Sequence, residues 1–179
     1  MKTNRILKLI TLSAAIFGFA ATSFGQITAS DDAGAFATII KPITLTKVDD
    51  LQFGVIAADA DGGSVVVAAA TGTATPSGVI LYTAGNNAIA PSAASFDVTG
   101  EASYTYKITL PSSVTLTRNG GGTMSVGTFK TNTPSESLTG NTFNEDGEAS
   151  FKVGGTLTIG ANQVAGLYEG TLSVTVDYE

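Results

Sequence analysis

The stretch "SYTYKITL" (residues 103–110) decides the fold class. Tyr104, Tyr106, Ile108 and Leu110 alternate with Thr105, Lys107 and Thr109. A period of two puts the large apolar side chains on one face of an extended strand, whereas a helix would scatter them around its circumference. The stretch "TLSVTVDY" (residues 171–178) repeats the pattern, with Leu172, Val174 and Val176 opposite Ser173, Thr175 and Asp177. These seven apolar residues are the expected core, and Thr105 and Thr175 are expected to face water.

Short alternating runs between turn residues fill the rest of the chain beyond residue 38. They cover residues 39–47, 51–56, 64–70, 78–82, 94–99 and 155–159. Two hairpins are expected, one turning at Asn119–Gly122 and one at Asp146–Gly147, where Asn, Asp and Gly supply the positive φ that tight turns need. Pro42 cannot donate to a ladder, so the run around it is expected at an edge or a bend. Nine or ten short strands at spacings of roughly 8–12 residues predict an all-β sandwich or barrel. A membrane barrel needs strands of about 9–11 residues with a lipid-facing apolar side. Here the alternate face is Thr, Ser and Lys, which favours the antiparallel β-sandwich.

The N-terminus has a different composition. Lys2, Arg5 and Lys8 precede an apolar run to about Ala21, followed by Ser23 and Gly25. That is the layout of a secretory signal peptide over residues 1–25, with Gln26 as the expected first residue of the exported chain. The apolar run is short for a bilayer span of about 20 residues, so no membrane span is expected in the mature chain. Residues 26–37 are small, polar and acidic and read as a flexible arm; residues 38–179 read as the sandwich domain. Residues 26–179 hold six Lys and Arg against fifteen acids, a formal charge of −9. Such a surface repels phosphate backbones, so nucleic acid is not an expected partner.

Nothing in the sequence marks catalysis. With no Cys and no His, most nucleophile–base pairs and soft-metal sites are closed off, and export brings no disulfide. No catalytic residue, cofactor or enzyme activity is expected. "DADGG" (residues 59–63) resembles the opening of a calcium loop, which leaves Asp59 and Asp61 as weak metal candidates. Position five is Gly63 and position twelve is Ala70, so the full ligand pattern fails and a plain turn is the favoured reading. Tyr168, between Gly166 and Gly170, is either a tyrosine that bonds back to a sandwich corner or an ordinary core aromatic.

"DLQFGVI" (residues 50–56), "FDVTGEASYTYKITLP" (residues 96–111) and "FKVGGTLTIGANQVAGLYEGTLSVTVDY" (residues 151–178) resemble a bacterial secreted domain-of-unknown-function family (DUF4402-like). The ending "AGLYEGTLSVTVDY" is also similar to that of spore-coat-U-like pilus subunits of the chaperone–usher route. That resemblance implies an immunoglobulin-like sandwich completed by a donor strand from a neighbouring subunit, with a periplasmic chaperone and usher as partners. It makes Ala33, Ala35, Ala37 and Ile39 the donated face; with Leu172, Val174 and Val176 of the last strand these are the expected assembly residues. Alanines fill a groove poorly, and Phe36 lies on the other parity. Two functions follow: a structural or adhesive surface subunit, or a self-complete secreted module that binds glycan, protein or weakly held Ca²⁺.

Overall fold

The computed structural model describes residues 28–179. The expected signal peptide and the expected cleavage at Gln26 lie outside the described residues. The chain divides into two units between Ala37 and Thr38. In the first, residues 28–37 contain no helix or strand and every one is exposed. The second unit is almost entirely antiparallel β structure, apart from a 3₁₀ turn at Pro134–Glu136.

Its strands are β1 (Thr44–Asp49), β2 (Val55–Ala58), β3 (Gly63–Val67), β4 (Ala74–Ser77), β5 (Val79–Tyr82), β6 (Ala94–Thr99) and β7 (Thr105–Thr109). They continue with β8 (Ser113–Arg118), β9 (Thr123–Thr131), β10 (Asn141–Thr142), β11 (Glu148–Ile159), β12 (Tyr168–Glu169) and β13 (Thr175–Tyr178). The largest sheet runs β1-β6-β11-β9-β8-β12, with β4 and β3 attached to the second half of β11. A three-stranded sheet runs β10-β7-β13, and β2 and β5 form a ribbon. The architecture is all-β and sandwich-like, as the alternation predicts.

The organising strand is β11. Its first half pairs with β6 and its second half with β3, on the same edge. The change of partner falls at Gly154–Gly155, where the register with β9 also slips. A Cβ on Gly154 would collide with the Val67 carbonyl and approach the Ala69 nitrogen to 2.6 Å. Only glycine lets the backbones of β11 and β3 come this close, and the large sheet bends there.

The bend gives two cores. The first lies between the β6/β11 end and the three-stranded sheet, and is built on Phe96, Val98, Tyr106, Ile108, Phe143, Phe151, Val153 and Val176. Phe96 and Phe151 are direct cross-strand partners whose rings stack at 5.3 Å. The second is built on Phe53, Val65, Val67, Val126, Leu157 and Ile159, with Val79 and Ile56 of the ribbon packed against it. Leu51 and Phe129 touch both cores and join them. Each of these fully buried side chains contributes roughly 1.5–3 kcal/mol of apolar transfer.

Several expectations change in the folded chain. Tyr106, Ile108 and Val176 are buried, and Leu110, Leu172 and Val174 are half-buried. Tyr104, expected in the core, is 42% exposed. Ser103 takes a left-handed conformation (φ 64°) and Tyr104 closes a turn onto Glu101, so the alternation is broken before β7 begins. Thr175 is exposed, whereas Thr105 is half-buried at the strand's start. The turn at Asn119–Gly122 joins β8 and β9 as expected. The turn at Asp146–Gly147 does not make a hairpin. Asn144 holds the turn, but β10 pairs with β7 and β11 pairs with β6, so the chain crosses there from one sheet to the other. The closing strand expected over residues 171–178 is likewise shortened, with a ladder only over β13.

Candidate functional site

Residues 168–178 link an end strand of the large sheet to an end strand of the three-stranded sheet. β12 pairs with β8 at one end and β13 pairs with β7 at the other. Between them, residues 170–174 make no backbone–backbone hydrogen bond among the described residues. The reason is local: Pro111 follows β7 where a continued ladder would need a donor, and the partner sheet changes from β8 to β7. Leu172 and Val174 still turn inward and pack against the first core.

A second free edge belongs to β1, which pairs only with β6. Ile43 and Leu45 turn inward from this side and pack against the same core. Ile43, Leu45, Leu51, Leu110, Leu172 and Val174 are all half-buried, unlike the residues of the core behind them. β1 and residues 170–174 form a seam of two backbone edges without a further ladder partner, from which Ile43, Leu45, Leu172 and Val174 turn inward and stay incompletely covered. Unpaired edges of this kind are templates for a further strand.

One end of the seam is tied. The Tyr178 hydroxyl donates to the Lys41 carbonyl (2.7 Å) and accepts from the Glu101 N–H (2.6 Å). The Lys41 N–H in turn donates to the Glu101 carboxylate (2.9 Å). The ring of Tyr178 stands edge-on to Tyr104 and Phe143, each 6.0 Å away. Gly100 makes room, since a Cβ there would sit 2.6 Å from the Tyr178 hydroxyl and 2.7 Å from the Phe143 ring.

The other sequence candidates are placed separately. Ala33, Ala35 and Ala37 are exposed in the first unit, and Phe36 is 97% exposed. Ile39, at the start of the second unit, is 95% exposed. Of the assembly residues expected in the last strand, Leu172 and Val174 lie on the seam and Val176 is buried in the first core. Asp59 and Asp61 are exposed in the turn between β2 and β3, closed by a Gly62 N–H bond to the Asp59 carbonyl. No group of three or more acidic side chains that could hold a metal occurs among the described residues.

Tyr168 is a corner tyrosine. Its hydroxyl donates to the Val164 carbonyl (2.7 Å) and accepts from the Gln163 amide (2.7 Å). Burial pushes the Tyr106 phenol above its ordinary pKa of 10.0. Two hollows are open to solvent, one against Leu81 and Pro91 and one against Asp97 and Glu148. Sequence reasoning missed the knot. Its partners lie 77 and 137 residues apart, and no local pattern marks such a contact.

The family model described as Domain of unknown function (DUF4402) matches residues 43–178, and the chain belongs to this family. No curated protein and no solved structure matches the chain.

Proposed function

We propose that this member of the DUF4402 family is an exported structural or adhesive subunit of a cell-surface assembly, joined to its neighbours by strand donation. The arm, residues 26–37 with Ile39 beyond it, enters the seam of a neighbouring copy. The observation that carries this reading is the seam itself: two unpaired edges around half-buried Ile43, Leu45, Leu172 and Val174. The same chain offers an exposed segment ahead of its first strand, with Ile39 on the donated face 95% exposed. The similarity of residues 165–178 to pilus-subunit endings supports the same reading, and an edge left open during export would require a periplasmic chaperone before an usher. The protein of this reading has no catalytic task.

Deleting residues 26–34, or changing Ala33→Pro or Ala35→Pro, is expected to abolish high-mass ladders in unboiled surface extracts while leaving the subunit folded. Proline removes a ladder donor without touching the core. Ladders that persist in the deletion would defeat strand donation.

A second reading has its own support. The outer face of the β2–β5 ribbon presents Ile80 (68% exposed) and Tyr82 (52% exposed) beside Val55 and Ala57. An exposed aromatic on an apolar face suits a sugar ring or another protein. A self-complete binding module would use this face and remain monomeric without its arm.

A further inference from the structure

We infer that Asn119 is a self-modification site: the Gly120 nitrogen displaces its side-chain amide, assisted by the Arg118 guanidinium, and leaves an acid in the turn between β8 and β9. This goes beyond strand donation and does not rest on it.

The reaction needs a backbone nitrogen that can reach an asparagine carboxamide and is free to lose its proton. Asn119 is the only asparagine of the chain followed by glycine, whose missing side chain allows that close approach. It is exposed, and its hydrogen bond from Arg118 uses the backbone carbonyl rather than the carboxamide. Asn132, Asn141 and Asn144 have larger residues after them and carboxamides already engaged. Asn132 Oδ1 accepts from the Lys152 N–H, Asn141 Nδ2 donates to the Ser137 carbonyl, and Asn144 Oδ1 accepts from the Asp146 and Glu148 N–H groups.

The turn leaves the nucleophile free. The Gly121 N–H donates to the Arg118 carbonyl (3.0 Å), and the Arg118 N–H donates to the Gly122 carbonyl (3.1 Å). Asn119 and Gly120 are therefore the central residues of a β-turn, and the Gly120 N–H between them has no partner among the described residues. Asp61–Gly62 and Asp146–Gly147 could form the same ring, but there the glycine N–H itself closes the turn. Gly62 donates to the Asp59 carbonyl and Gly147 to the Asn144 carbonyl, so losing that proton would break the turn.

Arg118 supplies the activation. Its Nη1 donates to the Asn119 carbonyl (3.2 Å), which belongs to the same peptide unit as the Gly120 nitrogen, and Nη2 donates to the Gly120 carbonyl (3.4 Å). A cation on that carbonyl draws electron density from the peptide and makes its N–H easier to deprotonate. The same charge favours the anion formed as the nitrogen attacks. Arg118 makes no ion pair among the described residues, so no carboxylate neutralises it. Its place is set by Tyr168, its partner across β8 and β12, and by Gly166, where a Cβ would collide with the Arg118 stem.

The step balances with water as the only co-reactant. The Gly120 nitrogen loses its proton and bonds to Asn119 Cγ, the Cγ–Nδ2 bond breaks, and ammonia leaves with that proton. Water then opens the cyclic imide. Opening at one carbonyl restores the chain with an aspartate; opening at the other gives isoaspartate, whose backbone is longer by one carbon. Either product puts a new carboxylate on the residue whose backbone Arg118 already holds.

The test incubates the folded, exported protein at mildly acidic and mildly alkaline pH. Tryptic peptides are followed by mass spectrometry, and isoaspartate is scored by enzymatic methylation. Residues 119–130 form a peptide with Asn119 as its only asparagine, while residues 131–152 carry Asn132, Asn141 and Asn144 as internal controls. Amide loss at Asn119 is expected to be roughly tenfold faster than in the control peptide, whose carboxamides are held by hydrogen bonds. It should quicken as pH rises, since the attacking nitrogen must lose a proton. Arg118→Gln should slow it roughly fivefold, the effect of about one hydrogen bond to a charged group. In urea the intact and variant chains should react equally, because the guanidinium no longer holds the turn. Arg118→Lys keeps a cation but loses the fork, and carries the test if Arg118→Gln does not fold. Amide loss at Asn119 no faster than in the control peptide would overturn the site. Equal rates in the folded intact protein and the folded Arg118 variants would overturn the assistance on which the inference depends.

Discussion

Leu172→Ala and Leu157→Ala make the same chemical change at two different places, and the comparison tests whether the seam is open. Leu157 is 2% exposed in the second core; Leu172 is half-buried on the seam. Truncating a buried leucine costs about 2–5 kcal/mol, from lost transfer energy plus the cavity left behind. Leu157→Ala should fall in that range. Leu172 keeps at most about a third of its surface in water and leaves a dent open to solvent rather than a closed cavity. Scaling the roughly 1.5–3 kcal/mol of full burial by about two thirds gives roughly 1–2 kcal/mol for the isolated subunit. The remaining burial appears only when a strand fills the seam. Leu172→Ala should therefore also weaken assembly by roughly 0.5–1 kcal/mol, about two- to fivefold in the dissociation constant. Urea denaturation of the arm-deleted subunit gives the first quantity, and the concentration dependence of assembly by the intact protein gives the second. Equal costs for the two variants in the isolated subunit would refute an open seam. An unchanged assembly constant would show that Leu172 does not meet a neighbour.

The raised pKa of Tyr106 implies that the folded state holds its proton more tightly than the unfolded chain, so stability is complete below pH 10.0 and falls as pH rises through the shifted value. Tyr106→Phe should remove that part of the alkaline loss in a thermal-melt series, and an unaltered alkaline limb would count against it. Tyr168→Phe loses the bond to the Val164 carbonyl and should cost about 0.5–1.5 kcal/mol by urea titration, whereas no change would mean the corner is held by packing alone. Gly154→Ala forces apart the backbones of β11 and β3 and should destabilise strongly in the same titration; a neutral result would contradict the close approach there. Mass spectrometry of the exported protein should find a start at or within a few residues of Gln26, and a retained leader would refute export by this signal.

The alternation in residues 103–110 and 171–178 was enough to make the protein all-β, because side chains on a strand must alternate and one dry face needs a core. The Asn119–Gly122 turn was equally legible, since positive φ has a local residue signature. Turn chemistry at Asp146–Gly147 was also read correctly, yet it does not say which strands the turn joins. Two tight turns look alike in sequence whether the flanking strands pair with each other or pass into different sheets. Tyr104 shows the same limit: it keeps the parity of Tyr106 and Ile108, but a left-handed Ser103 ends the strand before it.

For the candidate site, the apolar identity of Leu172 and Val174 was visible in the sequence, and their incomplete covering was not. Coverage depends on whether β1, β7 and the 168–178 edge close against one another, which is decided by pairings far apart along the chain. The knot of Tyr178, Lys41 and Glu101 is the extreme case, because a hydrogen bond across 137 residues leaves no periodicity to read. Local order in this protein was written by residues one and two apart. The open seam, and what ties its end, follow from contacts that exist only once the sheets have folded onto each other.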